Sequence, residues 1–208
     1  MKGSLIVVAF FAAGCLAGWL MNHQDLVIED DITRCLLYLL MLQAGLSIGS
    51  DQHIGQLFKS IRPQLLLVPL ATIAGTLSLT AAASVCISKW NTPECLATGS
   101  GFAYYSLSSV LITELKTAAS GIQLATELGT VALMTNIIRE ITALLGAPFF
   151  ARYFGRLAPI CAGGATTMDT TLPVIIKYSG KDFVFIAILH GILVDLSVPF
   201  LITFFCSM

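Results

Sequence analysis

Hydrophobic residues along the chain are grouped into long runs that are separated by short polar segments. Five of these runs have about the length that a membrane-spanning helix needs, roughly 20 apolar residues, although the second is short. Pro63 fits the first turn of the third run, where a missing N–H costs no hydrogen bond. We predict transmembrane helices at residues 3–21, 35–49, 63–88, 121–150 and 182–206.

Two further segments, residues 95–115 and 157–179, are apolar but interrupted by glycine, serine and threonine. The second contains Gly163-Gly164 and then Asp169, which an ordinary lipid-facing helix would not carry. Irregular backbone survives in hydrocarbon only where protein buries it or water reaches it. We therefore predict two re-entrant hairpins. We expect the second to be the substrate segment of a transporter, with Asp169 a buried acid at its break.

Lysine and arginine in the loops predict the orientation of the chain, because cytoplasmic loops carry more of them. Lys59 and Arg62 place their loop in the cytoplasm. Arg152 and Arg156 reach the same side only if residues 95–115 enter the membrane and return outside. The N-terminus is then cytoplasmic, the C-terminus lies outside, and the two hairpins have opposite senses.

The two broken segments are also similar to each other. A shift of 64 residues places Gly99 on Gly163, and Tyr105 on Asp169. Inverted repeats whose broken helices meet at the midplane are a recurrent design of secondary transporters. Chance similarity between glycine- and serine-rich segments is the alternative.

The composition agrees with this picture. The 208 residues are 56% hydrophobic and 11% charged, against about 25% charged in soluble domains. We predict one all-α integral membrane domain over residues 1–208, retaining its first span, without a nucleic-acid partner, cofactor or metal. The six cysteines stand at no metal-ligand spacing, and we expect small buried hydrophobes.

Arg139 and Glu140 lie near the centre of the span at 121–150, where a charge costs about 3 kcal/mol or more. Such residues face a cavity or one another. Arg139 is open to two roles, an ion pair with an acid such as Asp169 or contact with substrate. Glu140 shares a helix face with Asn136, and we expect it to be functional.

Asp169 can hold either a proton or an organic cation, although it can equally cap the following helix. Helix N-termini at the hairpin tips would attract a substrate carboxylate. His190 and Asp195 are possible proton-relay groups, His190 being open to a packing role, and Glu127 is expected to be a solvated acid. The predicted substrate and proton site comprises Asp169, Glu140, Arg139, Asn136, Gly163, Gly164, Thr166, Thr167, Gly99, Gly101, Tyr105 and Ser106.

The residues at these breaks carry a family resemblance over roughly residues 95–206, and more loosely back to the first span. The matching motifs are Ala97-Thr98-Gly99-Ser100-Gly101-Phe102, Tyr105-Ser106-Leu107-Ser108, Arg139-Glu140, Cys161-Ala162-Gly163-Gly164-Ala165-Thr166-Thr167-Met168-Asp169, Thr171-Leu172-Pro173, His190-Gly191 and Pro199. With these motifs the chain resembles the LysO-type lysine exporters of the bacterial inner membrane.

The resemblance implies a secondary transporter that exports L-lysine, and analogues such as thialysine, in exchange for protons. It implies roles for Glu140 and Asp169, whereas Glu127 and Asp195 are not positions where the family is expected to hold an acid. Family members that look complete carry additional N-terminal spans. This difference implies either a separate small membrane subunit or a homo-oligomer.

Two other functions stay open on the residues alone. One is an intramembrane enzyme that uses Asp169 with Glu140 or Asp195 as an acid–base pair. The other is a passive channel or an assembly subunit without a transport site of its own.

Overall fold

The structure, a computed structural model, describes residues 63–208 together with a few isolated helical positions nearer the N-terminus. Those positions are Ala13, Leu16, Cys35, Leu39 and Leu42. Apart from these positions, the predicted spans at 3–21 and 35–49 and the loops that follow them lie outside the described residues.

Residues 63–208 form seven α-helices, and no strand occurs among them. The helices are α1 (Pro63–Ser84), α2 (Thr92–Gly99), α3 (Tyr105–Ser120), α4 (Ile122–Tyr153), α5 (Ala158–Gly163), α6 (Leu172–Ser179) and α7 (Val184–Cys206). Short 3-10 helices occupy Gly164–Met168 and Lys181–Phe183.

Three helical segments are long and apolar enough to cross a membrane, namely Leu65–Ser84, Ile122–Tyr153 and Lys181–Cys206. They coincide with the last three predicted spans, with small shifts at their ends. The helix predicted to reach residue 88 ends at Ser84, whose hydroxyl bonds the Ala81 carbonyl oxygen inside the last turn. With 32 residues, α4 is about 48 Å long, well beyond the roughly 30 Å of a hydrocarbon core.

The described residues repeat one order of elements twice. A short helix, a break, a second helix and a long helix occur first as α2, α3 and α4, and then as α5, α6 and α7. Gly99 and Gly163, which the 64-residue shift equates, are the last residues of α2 and α5. The breaks therefore lie where the sequence predicts them, while their re-entrant course and inverted relation remain predictions.

The core forms around α7, which is apolar on all sides as expected of a buried helix. Half of its apolar window is buried, against 11% for α1, so α1 lies at the periphery. Close backbone approach tightens the packing. Cβ atoms at Gly129 and Gly191 would lie 2.0 Å from the Thr113 hydroxyl oxygen and 2.8 Å from the Met168 backbone nitrogen.

The cysteines follow their prediction only in part. Cys95 and Cys206 are buried, whereas Cys86, which follows the end of α1, is exposed. Burial as small hydrophobes is therefore confirmed for the two that lie in α2 and α7. It is wrong for Cys86, because the chain has already left the packed helix there, and for Cys35, which is also exposed, while Cys161 is only partly buried.

Candidate functional site

The two helix breaks meet in space. The backbone N–H of Ala165, in the second break, donates a 2.8 Å hydrogen bond to the carbonyl oxygen of Phe102 in the first. Gly164 makes this contact possible, since a Cβ there would lie 2.3 Å from the same oxygen. Its φ of 61° also favours glycine. Gly164, a predicted site residue, thus allows the two breaks to come together.

The first break has a strained backbone that Asn136 holds in place. Phe102 and Ala103 have φ angles of 43° and 74°, which side-chain-bearing residues rarely adopt. The Asn136 side-chain oxygen accepts a 2.7 Å hydrogen bond from the Ala103 N–H, and its amide nitrogen donates to the Ser108 hydroxyl at 3.1 Å. Gly101 leaves room for this amide, because a Cβ there would lie 2.1 Å from its nitrogen. Asn136 therefore supports the break from α4.

Threonine hydroxyls satisfy much of the backbone of the second break. Thr166 donates to the Gly163 carbonyl oxygen at 2.8 Å, and Thr171 donates to the Thr166 carbonyl oxygen at 3.0 Å. The Thr167 hydroxyl lies 2.8 Å from the Ala187 carbonyl oxygen of α7. In lipid, groups freed by a break must find such partners. The hydroxyls predicted to contact substrate, those of Thr166 and Thr167, are thus engaged with backbone carbonyls.

Arg139 binds the end of α5. Its Nε and Nη2 atoms each donate a 3.1 Å hydrogen bond, to the carbonyl oxygens of Ala162 and Cys161 respectively. Its Nη1 atom donates to the Thr76 hydroxyl at 3.3 Å, and its guanidinium lies 5.5 Å from the centre of the Phe102 ring. A cation is favourable at a helix C-terminus, where carbonyls are unpaired.

Within residues 63–208, Arg139 forms no ion pair with an acid. This was one of the two roles that the sequence left open for it. The guanidinium joins three parts of the fold, namely α1, α5 and the ring of Phe102 at the first break. Arg139 therefore holds the two breaks in position.

Glu140 and Asp169 meet at Thr170. Glu140, 4% exposed, interacts with the Thr170 side chain. The Asp169 carboxylate accepts hydrogen bonds from the backbone N–H and the hydroxyl of the same threonine. Thr170 was missed as a site residue. The signal for it was Ser106, its equivalent under the 64-residue shift and itself a predicted site residue.

Asp169 differs from its prediction in one respect. It was expected to be a buried acid, but the structure places Asp169 and Thr170 on the accessible surface. They follow the 3-10 helix Gly164–Met168, whose first four residues are buried. The expectation of burial is wrong, because the 3-10 helix ends at Met168 and the next two residues turn out of the core. Nor does Asp169 cap α6, which begins after Thr171 and has no side-chain cap.

A third acid belongs to the same group. Asp195 of α7, 5% exposed, interacts electrostatically with Asp169. Tyr104 lies within electrostatic range of both, and Tyr105 within range of Glu140 and Asp169. The group defined by these five residues, here called the acidic site, draws on the first break, α3, α4, the second break and α7.

The acidic site holds no positive partner within residues 63–208. Arg139, next to Glu140 in sequence, is engaged with carbonyl oxygens as described. Lys116 forms a buried ion pair with Glu94, 4.0 Å apart. Such an arrangement of acids attracts cations or protons, because an ionised buried carboxylate without a partner is unfavourable by several kcal/mol.

The remaining predicted residues lie outside the acidic site or at its edge. His190, fully buried, lies between the hydroxyls of Thr72 and Thr167, at 2.9 and 3.2 Å. Because the Thr72 hydroxyl donates to the Val68 carbonyl oxygen, it accepts from the His190 Nε2–H. Hence His190 joins α1 to the second break.

Glu127 forms an exposed ion pair with Lys89, which agrees with its prediction as a solvated acid. Ser106 lies half-buried in the first turn of α3, beside Tyr105. Gly99 faces Thr80 of α1, since a Cβ there would lie 2.6 Å from the threonine hydroxyl oxygen.

Comparison with known proteins gives a consistent result. A family model described as lysine exporter LysO matches residues 8–206. Over 112 residues, the chain is 38% identical to the lysine exporter LysO of Escherichia coli K12 and 39% identical to a putative lysine exporter of Haemophilus influenzae. These alignments cover 54% of this chain but only 34% and 53% of the relatives, respectively. No solved structure matches the chain.

Proposed function

Because this chain belongs to the lysine exporter LysO family, we propose that it exports L-lysine, and analogues such as thialysine, from the cytoplasm in exchange for protons. Members of this family are transporters, which excludes the intramembrane enzyme. The apolar helices make the chain a multi-pass membrane protein. The bacterial inner membrane, with a cytoplasmic N-terminus and an external C-terminus, is the proposed location.

The single observation that carries the proposal is that Glu140 and Asp169 come together at Thr170 without a basic partner among residues 63–208. Lysine offers the ammonium group that such acids lack. Protons neutralise buried acids when lysine is absent. Carboxylates can therefore bind either cation, and exchange of one cation for the other is the minimum requirement of antiport.

The geometry also supplies a place for the other end of the substrate. Tyr105, beside Glu140 and Asp169, is the first residue of the 16-residue helix α3. The unpaired N–H groups of a helix N-terminus favour an anion. We assign the lysine carboxylate to this helix end and its side-chain ammonium to Glu140 and Asp169.

The assembly in which the chain acts is part of the proposal. The chain spans between a third and about half of the length of the relatives that it matches. The helix α1 leaves large apolar side chains exposed, among them Leu67, Leu70 and Leu79. Either a separate small membrane subunit or a second copy of the chain would cover such a surface, as would lipid.

Export from cells tests the function. Cells that lack their own lysine exporter and express this chain are loaded with a lysine dipeptide, and external lysine is measured. We expect efflux above the empty vector, and its loss in Asp169→Asn and Glu140→Gln. The exposed Asp182→Asn is the matched control, since it removes a carboxylate outside the acidic site.

Efflux that never exceeds the vector, with the chain alone and with a candidate small subunit, refutes the proposed function. Downhill lysine leak in liposomes that does not respond to a pH gradient favours the passive channel instead.

A further inference from the structure

Asp195 is the middle residue of the 23-residue helix α7 and its sole acid. Its side chain is 5% exposed. An ionisable group at the centre of a membrane helix costs about 3 kcal/mol or more, and such groups mark ion or proton pathways. Apart from His190, Ser197 and Thr203, the rest of α7 is apolar, and no polar contact of Asp195 within residues 63–208 explains a carboxylate there.

The surroundings of Asp195 favour its neutral form. Within residues 63–208 it has no hydrogen-bond donor or basic partner. The titratable groups within electrostatic range of it are Tyr104 from the first break and Asp169 from the second. Two carboxylates in range of each other do not both ionise readily. Asp169 is accessible and accepts two hydrogen bonds from Thr170. A negative charge is therefore more stable on Asp169 than on Asp195.

We propose that Asp195 is the proton-carrying group of this transporter, separate from the Glu140–Asp169 pair that binds the substrate ammonium. This inference rests on the proposed function. When lysine binds, its positive charge beside Asp169 favours loss of the Asp195 proton to the cytoplasm. After lysine leaves outside, a proton from outside returns to Asp195. One positive charge leaves and one enters in each cycle.

The charge state of Asp195 is tested without lysine. Infrared spectra of the purified full chain at neutral pH report protonated carboxyl groups. We expect a protonated carboxyl band in the wild type that is weaker in Asp195→Asn and unchanged in Asp182→Asn. A band unchanged in Asp195→Asn, in protein whose thermal unfolding shows it to be folded, overturns the inference.

Transport in liposomes tests the role of the proton. We expect Asp195→Asn to keep lysine–lysine exchange, which moves no net proton. It should lose the stimulation of lysine transport by a pH gradient, an effect of at least about fivefold if the coupling is typical. Asp169→Asn should lose both activities.

Two outcomes contradict the inference. One is retained stimulation by the gradient in Asp195→Asn, and the other is loss of exchange as complete as in Asp169→Asn. If the wild type moves no lysine at all, the proposed function fails, and the infrared band alone then decides whether Asp195 carries a proton.

Discussion

Substitution of Gly164 by alanine tests whether contact between the two breaks stabilises the fold. The φ of 61° at Gly164 costs an L-residue about 1–3 kcal/mol. The new Cβ would also lie 2.3 Å from the Phe102 carbonyl oxygen. Backbone cannot yield as a flexible side chain does, and overpacking of this kind costs about 1–3 kcal/mol more. Losing the hydrogen bond between Ala165 and Phe102 adds about 1 kcal/mol.

Two other glycines separate these contributions. Gly155 has a φ of 91°, but no atom lies within 4 Å of the position that a methyl group would take there, so Gly155→Ala carries the strain without the clash. Gly75 lies in α1 with open space and no unusual φ, and Gly75→Ala should be neutral or stabilising, since alanine favours helix. In detergent, the unfolding temperature of Gly164→Ala should be well below that of Gly155→Ala, and that of Gly155→Ala should be below that of Gly75→Ala.

Equal unfolding temperatures for Gly164→Ala and Gly155→Ala would refute this reasoning, because they would show that the two breaks move apart without cost. Lysine efflux measured on the same variants gives a second readout. Gly164→Ala should lose efflux even at temperatures where it remains folded, since separation of the breaks carries Tyr104 away from Asp169.

Three further substitutions test individual contacts. Asn136→Ala leaves the Ala103 N–H without its buried acceptor, and we expect about 1–3 kcal/mol of destabilisation by thermal or denaturant unfolding; wild-type stability would contradict the role of a support. Arg139→Lys keeps the charge but removes the paired donors that bind the carbonyl oxygens of Ala162 and Cys161, so the unfolding temperature and lysine efflux should both fall. Loss of efflux without loss of stability would favour contact of Arg139 with the substrate instead. Thr170→Val should lower lysine efflux with little change in stability, while Thr170→Ser should keep lysine efflux. Equal efflux in the two variants would show that the Thr170 hydroxyl is not needed for transport.

Much of the architecture was predictable because hydrophobicity and backbone chemistry act locally. Apolar runs of membrane length gave three spans that the described residues confirm as long helices. Glycine and polar residues gave the two breaks. Neither inference needed to know which segments are neighbours.

The roles of particular residues were less predictable, since they depend on which atoms meet. The sequence left two roles open for Arg139, an ion pair with an acid or contact with the substrate. In the structure it binds carbonyl oxygens at the end of α5. Asn136 was predicted for the substrate site on its shared helix face with Glu140, but it holds the first break. Asp195 was a candidate for proton relay only because of its position in the middle of a predicted span. Its electrostatic interaction with Asp169 could be recognised only from the fold.

Composition, periodicity and motifs are properties of the linear chain, and they were enough to predict that the chain enters a membrane, where its helices break, and to which family it is similar. Which polar groups bind the backbone and which remain for a cation became known only from the fold. A buried donor or acceptor is free only when no neighbour from another part of the chain satisfies it. Arg139 and the threonines found such neighbours, whereas Glu140, Asp169 and Asp195 were brought together without a basic one among residues 63–208.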